Sequence, residues 1–490
     1  MLILGGAGVL GATGIGTGLL LSEGSGTSPV MPSSALVAKA DAARFRNGRV
    51  VSRQLTARQS SIDLGGRIVD TWTYDGQLPG PAIRLARGDR LRLQLKNDLP
   101  DVTGTHWHGL AIRNDMDGVP GTTMAEIASK SSFEYDFTVP DAGTYWYHSH
   151  VGTQLDRGLY GPLIIDDAGE AGDYDVEAVL VLDDWVDGTG QTPDQVLAGL
   201  RKNGMASMSM GGMAMGSAVP LPSALGGDAG DVKYPLFLIN GKAPTDPISI
   251  TAKPGQRIKL RLINAGGDTA FRFAIGGHQL TVTHADGYPV HPVTVDTVLL
   301  GMGERYDVTL TARDGVFPLV AYAEGKGGSG RALLRTGSGV PPASNVLPSA
   351  LRGRMLSYAD LRPTAAAALR PRGVDTRLPV GLTFNPNGYQ WLINGRRFDR
   401  YKPLRVRAGQ RVRMDFTNNT TMFHPMHVHG HTFALLAPAG PGTRKDTVIV
   451  KPKQTVSVAL EANNPGQWMV HCHNAYHQES GMMTVLSYVS

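Results

Sequence analysis

From about residue 45 onward the chain alternates apolar and polar positions in short runs that end at Gly, Pro, Asp or Asn. Examples are "DRLRLQLKNDL" at 89–99, "QRIKLRLINAG" at 256–266 and "QRVRMDFTNNT" at 410–420. A period of two puts every second side chain on one face, so these runs predict antiparallel strands in a sandwich or barrel. The three runs are also copies of one another. Gly88, Gly255 and Gly409 each stand two places before an Arg and nine before Asn97, Asn264 and Asn418. A unit repeated three times predicts three similar domains. We place them at 45–168, 175–345 and 350–490, with a Met- and Gly-rich insertion at 204–216 of the second.

Ahead of the first domain, residues 1–21 carry no charge and the first basic residue is Lys39. An apolar stretch followed by Ser, Gly and Pro predicts an export signal, with residues 1–44 as signal and flexible N-terminal segment. The charge-poor start predicts a basic stretch before it, of twin-Arg type, and an exported protein: periplasmic, cell-surface or secreted. Membrane association follows only if the apolar segment is retained.

Composition is that of a globular protein, with 41% hydrophobic and 18% charged residues among 490. Net charge is +5, but Lys and Arg read as scattered singly through the strands, which argues against a nucleic-acid face. Cys472 is the only cysteine, so no intramolecular disulfide forms and the thiol is a candidate nucleophile or metal ligand.

The repeat register organises the histidines. Eighteen residues after the repeat glycine stand His106 and His427, with His108 and His429 two further on; the second copy has Phe273 and Ile275. Counting from Gly143 and Gly466 aligns His148, Ser149 and His150 with His471, Cys472 and His473, while the second copy has Val320, Ala321 and Tyr322. Spacing i, i+2 on a strand puts two imidazoles on one face, about 6–7 Å apart. "HWH", "HSH", "HVH" and "HCH" thus predict one metal cluster built from eight histidines of the first and third domains.

Cys472 points to the other face of its strand. With His424, His477 and a weak axial Met482 it makes a two-His, one-Cys set that suits copper. The first domain has lost this second site, carrying Thr103, Ser149, Gln154 and Leu159 at the matching positions, although Gly158 still aligns with Gly481.

Together, "HWHG", "HSH", "HPMHVHG" and "HCHNAYHQESGM" resemble the three-domain multicopper oxidases, the laccase and cuprous-oxidase family, and look most like its actinobacterial and mycobacterial branch. The resemblance covers about residues 45–490. It implies three consecutive cupredoxin-like Greek-key β-sandwich domains, all-β, and four copper ions. Type 1 copper would lie on His424, Cys472, His477 and axial Met482, and type 2 on His106 and His427. The type 3 pair would lie on His108, His148, His150, His429, His471 and His473. It further implies that one-electron donors reduce the type 1 site, that Cys472 hands electrons to His471 and His473, and that dioxygen is reduced to water.

In this family an Asp after "HWHG" helps to deliver protons; Asp117 matches it, Asp115 is a rival, and a plain turn-capping role is the alternative. Several members carry an acid after the type 1 His, where this chain has Gln478, so Glu479 is the second candidate. His278, His284, His291 and His431 fall outside the motifs; His278 aligns with His431, and both are expected to be structural or to bond at a domain interface, while Trp107 and Trp146 are expected to be core aromatics. Met205, Met208, Met210, Met213 and Met215 offer soft thioethers for a Cu(I) substrate, the alternative being a linker. Expected partners are therefore dioxygen and Cu(I), phenolic or Fe(II) donors, with copper tolerance as the favoured task. The other readings are a copper-sequestering protein without turnover, a laccase acting mainly on phenols or Fe(II), and a pure electron carrier, which the eight further histidines disfavour.

Overall fold

In the computed structural model, which describes residues 28–170, 173–204 and 221–490, the strands form six sheets that pair along the chain into three sandwiches. The first packs a sheet ordered Ile68–Tyr74, Val50–Asp63, Arg90–Asn97, Ser132–Thr138 against one ordered Ile83–Ala86, Tyr160–Asp166, Gly143–Ser149, Thr105–His108. The second and third each pair a six-stranded with a five-stranded sheet. In all three the opening strand runs parallel to the repeat strand: Val50–Asp63 beside Arg90–Asn97, Val176–Trp185 beside Arg257–Asn264, and Thr376–Asn385 beside Arg411–Asn418. That non-sequential pairing is the Greek-key connection.

The repeat register has a conformational cause. Gly88, Gly255 and Gly409 have φ of 85°, 83° and 86°, a region L side chains rarely adopt, so the turn into each repeat strand selects glycine. At the far end Asn97 donates to the carbonyls of Asp101 and Ile127, Asn264 to those of Thr269 and Leu300, and Asn418 to those of Met422 and Val450. Each Asn side chain thereby ties the end of one sheet to the next loop.

Arg90–Asn97 alternates exposed and buried residues throughout, with Leu91, Leu93 and Leu95 in the core. Arg257–Asn264 is instead buried at all positions but the first, because the second sandwich is covered by its neighbours. Its Arg261 is buried yet bonded to Glu177 and Asp307, which compensates a charge that would otherwise be costly. The apolar cores of the second and third sandwiches run into each other, whereas the first keeps its own.

One expectation is corrected. Residues 28–44, read as part of a flexible segment, are docked. The Val30 N–H donates to Tyr488 O, Ser34 caps a helix over Ala35–Ala42, and Val37 is buried. The Arg44 guanidinium then bonds the Ala111 carbonyl of the first sandwich and Asn464 Oδ1 of the third. A charged side chain gains partners at that junction which its local sequence does not announce. Among the described residues no helix is long and apolar enough to cross a membrane; the expected export signal lies mostly in residues 1–27, outside them.

Candidate metal centre

Strand Thr105–His108 pairs with Gly143–Ser149 so that His106 stands opposite His148. Strand His424–Val428 pairs with Gln467–Cys472, setting His427 opposite His471 and Met426 opposite Cys472. Where the two sandwiches meet, their imidazoles interleave: His106 stacks on His429 at 3.7 Å between centroids, and His108 on His427 at 3.8 Å. All eight histidines are buried. Their nitrogens gather into the sets His108, His148, His473 and His150, His429, His471, with His106 and His427 beside them, each set lying within 4.8 Å. His108 also groups with His106 and His427, so the eight histidines form one continuous cluster.

Hydrogen bonds fix which nitrogens carry lone pairs. Nδ1 of His106, His148, His427 and His471 meets the backbone carbonyl of Asp117, Ser149, Asp446 and Cys472, each at 2.9 Å. A carbonyl only accepts, so Nδ1 carries the proton and Nε2 the lone pair. Nε2 of His106, His148, His150 and His427 is buried without any hydrogen-bond partner, a cost of about 1–3 kcal/mol each if nothing binds. His429 donates from Nδ1 to Asp117 Oδ2, which leaves its Nε2 lone pair facing that of His471 at 3.0 Å. Two lone pairs at that separation repel unless a cation sits between them. The residues therefore fit a metal cluster, and burial pushes the His108, His148, His429, His471 and His473 pKa values well below the usual imidazole range, keeping the rings neutral for ligation.

Two carboxylates orient this cluster. Asp117 reaches from the first sandwich to His429 and stands 3.3 Å from His106 Nδ1 through Oδ1. Asp446 reaches from the third to His108 Nε2 at 3.1 Å, with Oδ1 3.5 Å from His427 Nδ1. Asp446 is gripped at 2.7 Å through both oxygens by Arg305 of the second sandwich. Burial alone would raise its pKa, but Arg305 and the two histidines hold it well below the usual carboxylate range. Asp115, the rival to Asp117, is spent on a two-point pair with Arg113.

On the opposite face of the Cys472 strand, His424 Nδ1 and His477 Nδ1 approach to 3.1 Å, and Cys472 Sγ lies 3.6 and 3.5 Å from them. His477 is placed by a short helix, Ala475–Glu479, that Asn474 caps through the N–H groups of Tyr476 and His477. Its Nε2 faces Asp231 Oδ2 at 3.1 Å, so Nδ1 carries the lone pair. Met482 is buried, and its carbonyl accepts from Cys472 N–H at 3.1 Å. Two imidazoles and one sulfur converging in an apolar core fit copper. Burial pushes the free Cys472 thiol up, so a cation is needed to hold the thiolate. In the first sandwich the matching residues form a hydrogen-bonded trio instead, Thr103 and Ser149 both donating to Gln154 Oε1, with Leu159 buried.

Other expectations meet mixed outcomes. Glu479 closes the helix that carries His477, takes a bond from Gln478 and touches none of the eight histidines among the described residues. Trp146 is the core aromatic expected, packed with Leu155, Tyr160 and Val181, and it also forms a wall of the cluster, its ring centroid 4.4 Å from that of His148 and 5.1 Å from that of His108. Its place two residues before His148, on the same strand face, was the signal. Trp107 does pack in the core against Tyr135 and Phe137. His431 bonds Tyr488 OH and, through Nδ1, the His429 carbonyl, so both its nitrogens are used; His278 accepts from Arg313 N–H and His284 pairs with Glu170, away from the two centres. Met205, Met208, Met210, Met213 and Met215 lie outside the described residues. Asp446, Arg305, Asp231 and Trp391, which stacks on His477 at 3.8 Å, belong to no sequence motif and were missed.

Three family models, each described as multicopper oxidase, match residues 56–170, 177–339 and 374–489. The multicopper oxidase MmcO of Mycobacterium tuberculosis is 48% identical over 98% of this chain and 96% of its own length. A copper resistance protein A homolog of Pseudomonas syringae pv. tomato is 29% identical over 87% of this chain and 90% of its own. Among solved structures, the laccase of Botrytis aclada superposes with a TM-score of 0.73 at 26% identity, covering 92% of this chain and 90% of that one. Three cupredoxin-like sandwiches, the two candidate copper centres and these full-length matches lead to one conclusion: the chain belongs to the multicopper oxidase family, oxidoreductases that bind four coppers and use dioxygen as acceptor.

Proposed function

We propose that this oxidase draws single electrons chiefly from Cu(I), serving copper tolerance, and that phenols and Fe(II) are secondary donors. In this reading His424, Cys472, His477 and Met482 hold type 1 copper, His106 and His427 type 2, and His108, His148, His150, His429, His471 and His473 the type 3 pair. The domains keep the bounds 45–168, 175–345 and 350–490, and the protein acts outside the cytoplasm. Bound at these places, copper supplies the one-electron carrier and the dioxygen-reducing centre. The protein supplies the rest. Cys472 is covalently flanked by His471 and His473, so one strand joins the two centres. Asp117 Oδ1, buried and without a hydrogen-bond partner, is the oxygen placed to take up and release a proton at the cluster.

The observation that carries the choice of donor is where the Met-rich segment leaves and re-enters the described chain. On one side Arg201 bonds the Glu479 carbonyl, two residues from His477. On the other, the Asp228 N–H donates to Thr421 O at 3.1 Å, and Asp231 faces His477. Residues flanking the segment on both sides thus bond neighbours of the type 1 residues, and Asp231 bonds His477 itself, which favours a role for the five thioethers in supplying Cu(I). The copper resistance relatives agree with that task. Dioxygen uptake by the copper-loaded protein on Cu(I), a phenol and Fe(II) tests the reading, together with a variant carrying Ser at all five Met positions. Loss of Cu(I) turnover at low copper with phenol turnover kept supports it; equal turnover of both donors contradicts it.

A further inference from the structure

We infer that the outer edge of the third sandwich is a docking surface for an anionic lipid bilayer. The segment 396–407, "RRFDRYKPLRVR", holds six basic residues and one acid, so six minus one gives +5, the net charge of the entire chain. This corrects the view of basic residues as evenly scattered. Arg396, Arg397, Arg400, Lys402, Arg405 and Arg407 are all exposed. Arg397 faces Asp399 at 3.7 Å; among the described residues no carboxylate lies within ion-pair distance of Arg396, Arg400, Lys402 or Arg407. Phe398 and Tyr401 stack between these cations at 5.2 Å, with Tyr401 40% exposed, and an aromatic flanked by cations suits the headgroup layer of a membrane.

The second observation is where the N-terminal chain enters the fold. Strand Leu404–Val406 is the edge of its sheet, with Leu404 and Val406 turned inward and Arg405 outward, and it pairs with Met483–Tyr488. The Val489 N–H donates to Val406 O at 2.9 Å, and on its other side Val489 bridges to Pro29. The basic edge is therefore two strand spacings, roughly 10 Å, from Pro29. Ahead of Ser28 lies the uncharged apolar stretch of residues 1–21. Each clustered Lys or Arg near an anionic lipid surface adds its own increment of attraction, and strand Met483–Tyr488 contributes no acid to oppose it.

Co-sedimentation of the full copper-loaded chain with phosphatidylglycerol vesicles and with phosphatidylcholine vesicles tests this surface. Binding to phosphatidylglycerol is expected to be tighter by about tenfold or more at low salt, and the preference should vanish in about 1 M salt, where screening is complete within a few Å. Replacing the six cations by Gln should abolish the preference while blue colour and dioxygen uptake in solution persist. The milder variant Arg396→Gln with Arg397→Gln, which leaves the edge strand untouched, should reduce it. Equal binding of the parent chain to both vesicles, a preference kept by the sixfold variant, or an undiminished preference in the milder one, overturns the inference. So does binding of soluble polyphosphate as tight as that of phosphatidylglycerol vesicles, which would identify a dissolved polyanion as the partner.

Discussion

Asp117 and Asp446 meet the histidine cluster in matching ways from opposite sandwiches, and only Asp446 carries a counter-charge. Each carbonyl takes the Nδ1 proton of one histidine, His106 or His427, and each carboxylate reaches a histidine of the other sandwich, His429 or His108. Arg305 holds both oxygens of Asp446, whereas Asp117 has no Lys or Arg partner among the described residues. The two acids therefore do different work. Asp117→Asn is expected to slow reoxidation by dioxygen about 100-fold while donor reduction of the type 1 site stays near the parent rate. Stopped-flow measurement of the two half-reactions separates them; unchanged reoxidation would remove Asp117 from the proton path.

Asp446→Asn should weaken copper retention instead. The Asp446 carboxylate fixes the His108 tautomer, and loss of such an outer partner typically costs about 10–100-fold in metal affinity. Copper per chain after dialysis against a graded chelator reads this directly. Retention equal to that of the parent would make Asp446 a bystander.

Removing the partner charge has a different signature. Arg305→Leu leaves Asp446 buried and unpaired, which costs about 3–5 kcal/mol, so denaturant unfolding of the copper-free protein should show it. Arg305→Lys should recover part of that loss. A midpoint unmoved in Arg305→Leu would mean that water or Lys445 takes over the charge.

How much of this could be read from the sequence follows from where the signals lie. The repeat glycines and asparagines are demanded by local backbone geometry, so Gly88 and Asn97 announce themselves and carry the three-sandwich fold with them. The ligands are legible because strand alternation puts His106 with His108, and His471 with His473, on one face. Asp446 is not legible: it stands nineteen residues after His427, Asp117 stands eleven after His106, and the unequal loops hide their equivalence. Arg305 and Asp231 come from a sandwich without ligands, and only tertiary packing brings them to the centres. The docking of Arg44 was hidden for the same reason.

The copper-free protein should lose stability as pH falls. Burial holds the His150 pKa at about 3, against 6.5 in the unfolded chain, and burial also depresses those of His108, His148, His429, His471 and His473. Between those values the unfolded chain binds a proton that the folded one refuses, so stability rises with pH through this window and is lost on acidification. From pH 7 to 5, His150 alone accounts for about 2 kcal/mol. Urea midpoints at the two pH values check this; a flat profile would mean that the cluster admits protons without unfolding.

Met482→Leu should keep the blue colour and raise the type 1 potential, because a weak axial sulfur stabilises the oxidised ion more than an apolar group does. Met482 is fully buried beside Cys472, while Met483 is only half-buried. Redox titration decides: an unchanged potential would place no axial sulfur at the site.

The central claim is that Cys472 belongs to one copper centre and connects it covalently to another built by its neighbours. Absorption spectroscopy combined with copper analysis of Cys472→Ser tests it most directly. The expected protein has no intense blue band and no donor-driven dioxygen uptake, yet retains the coppers of the histidine cluster. A variant that remained blue, or one that lost every copper, would contradict the division into two centres joined at Cys472.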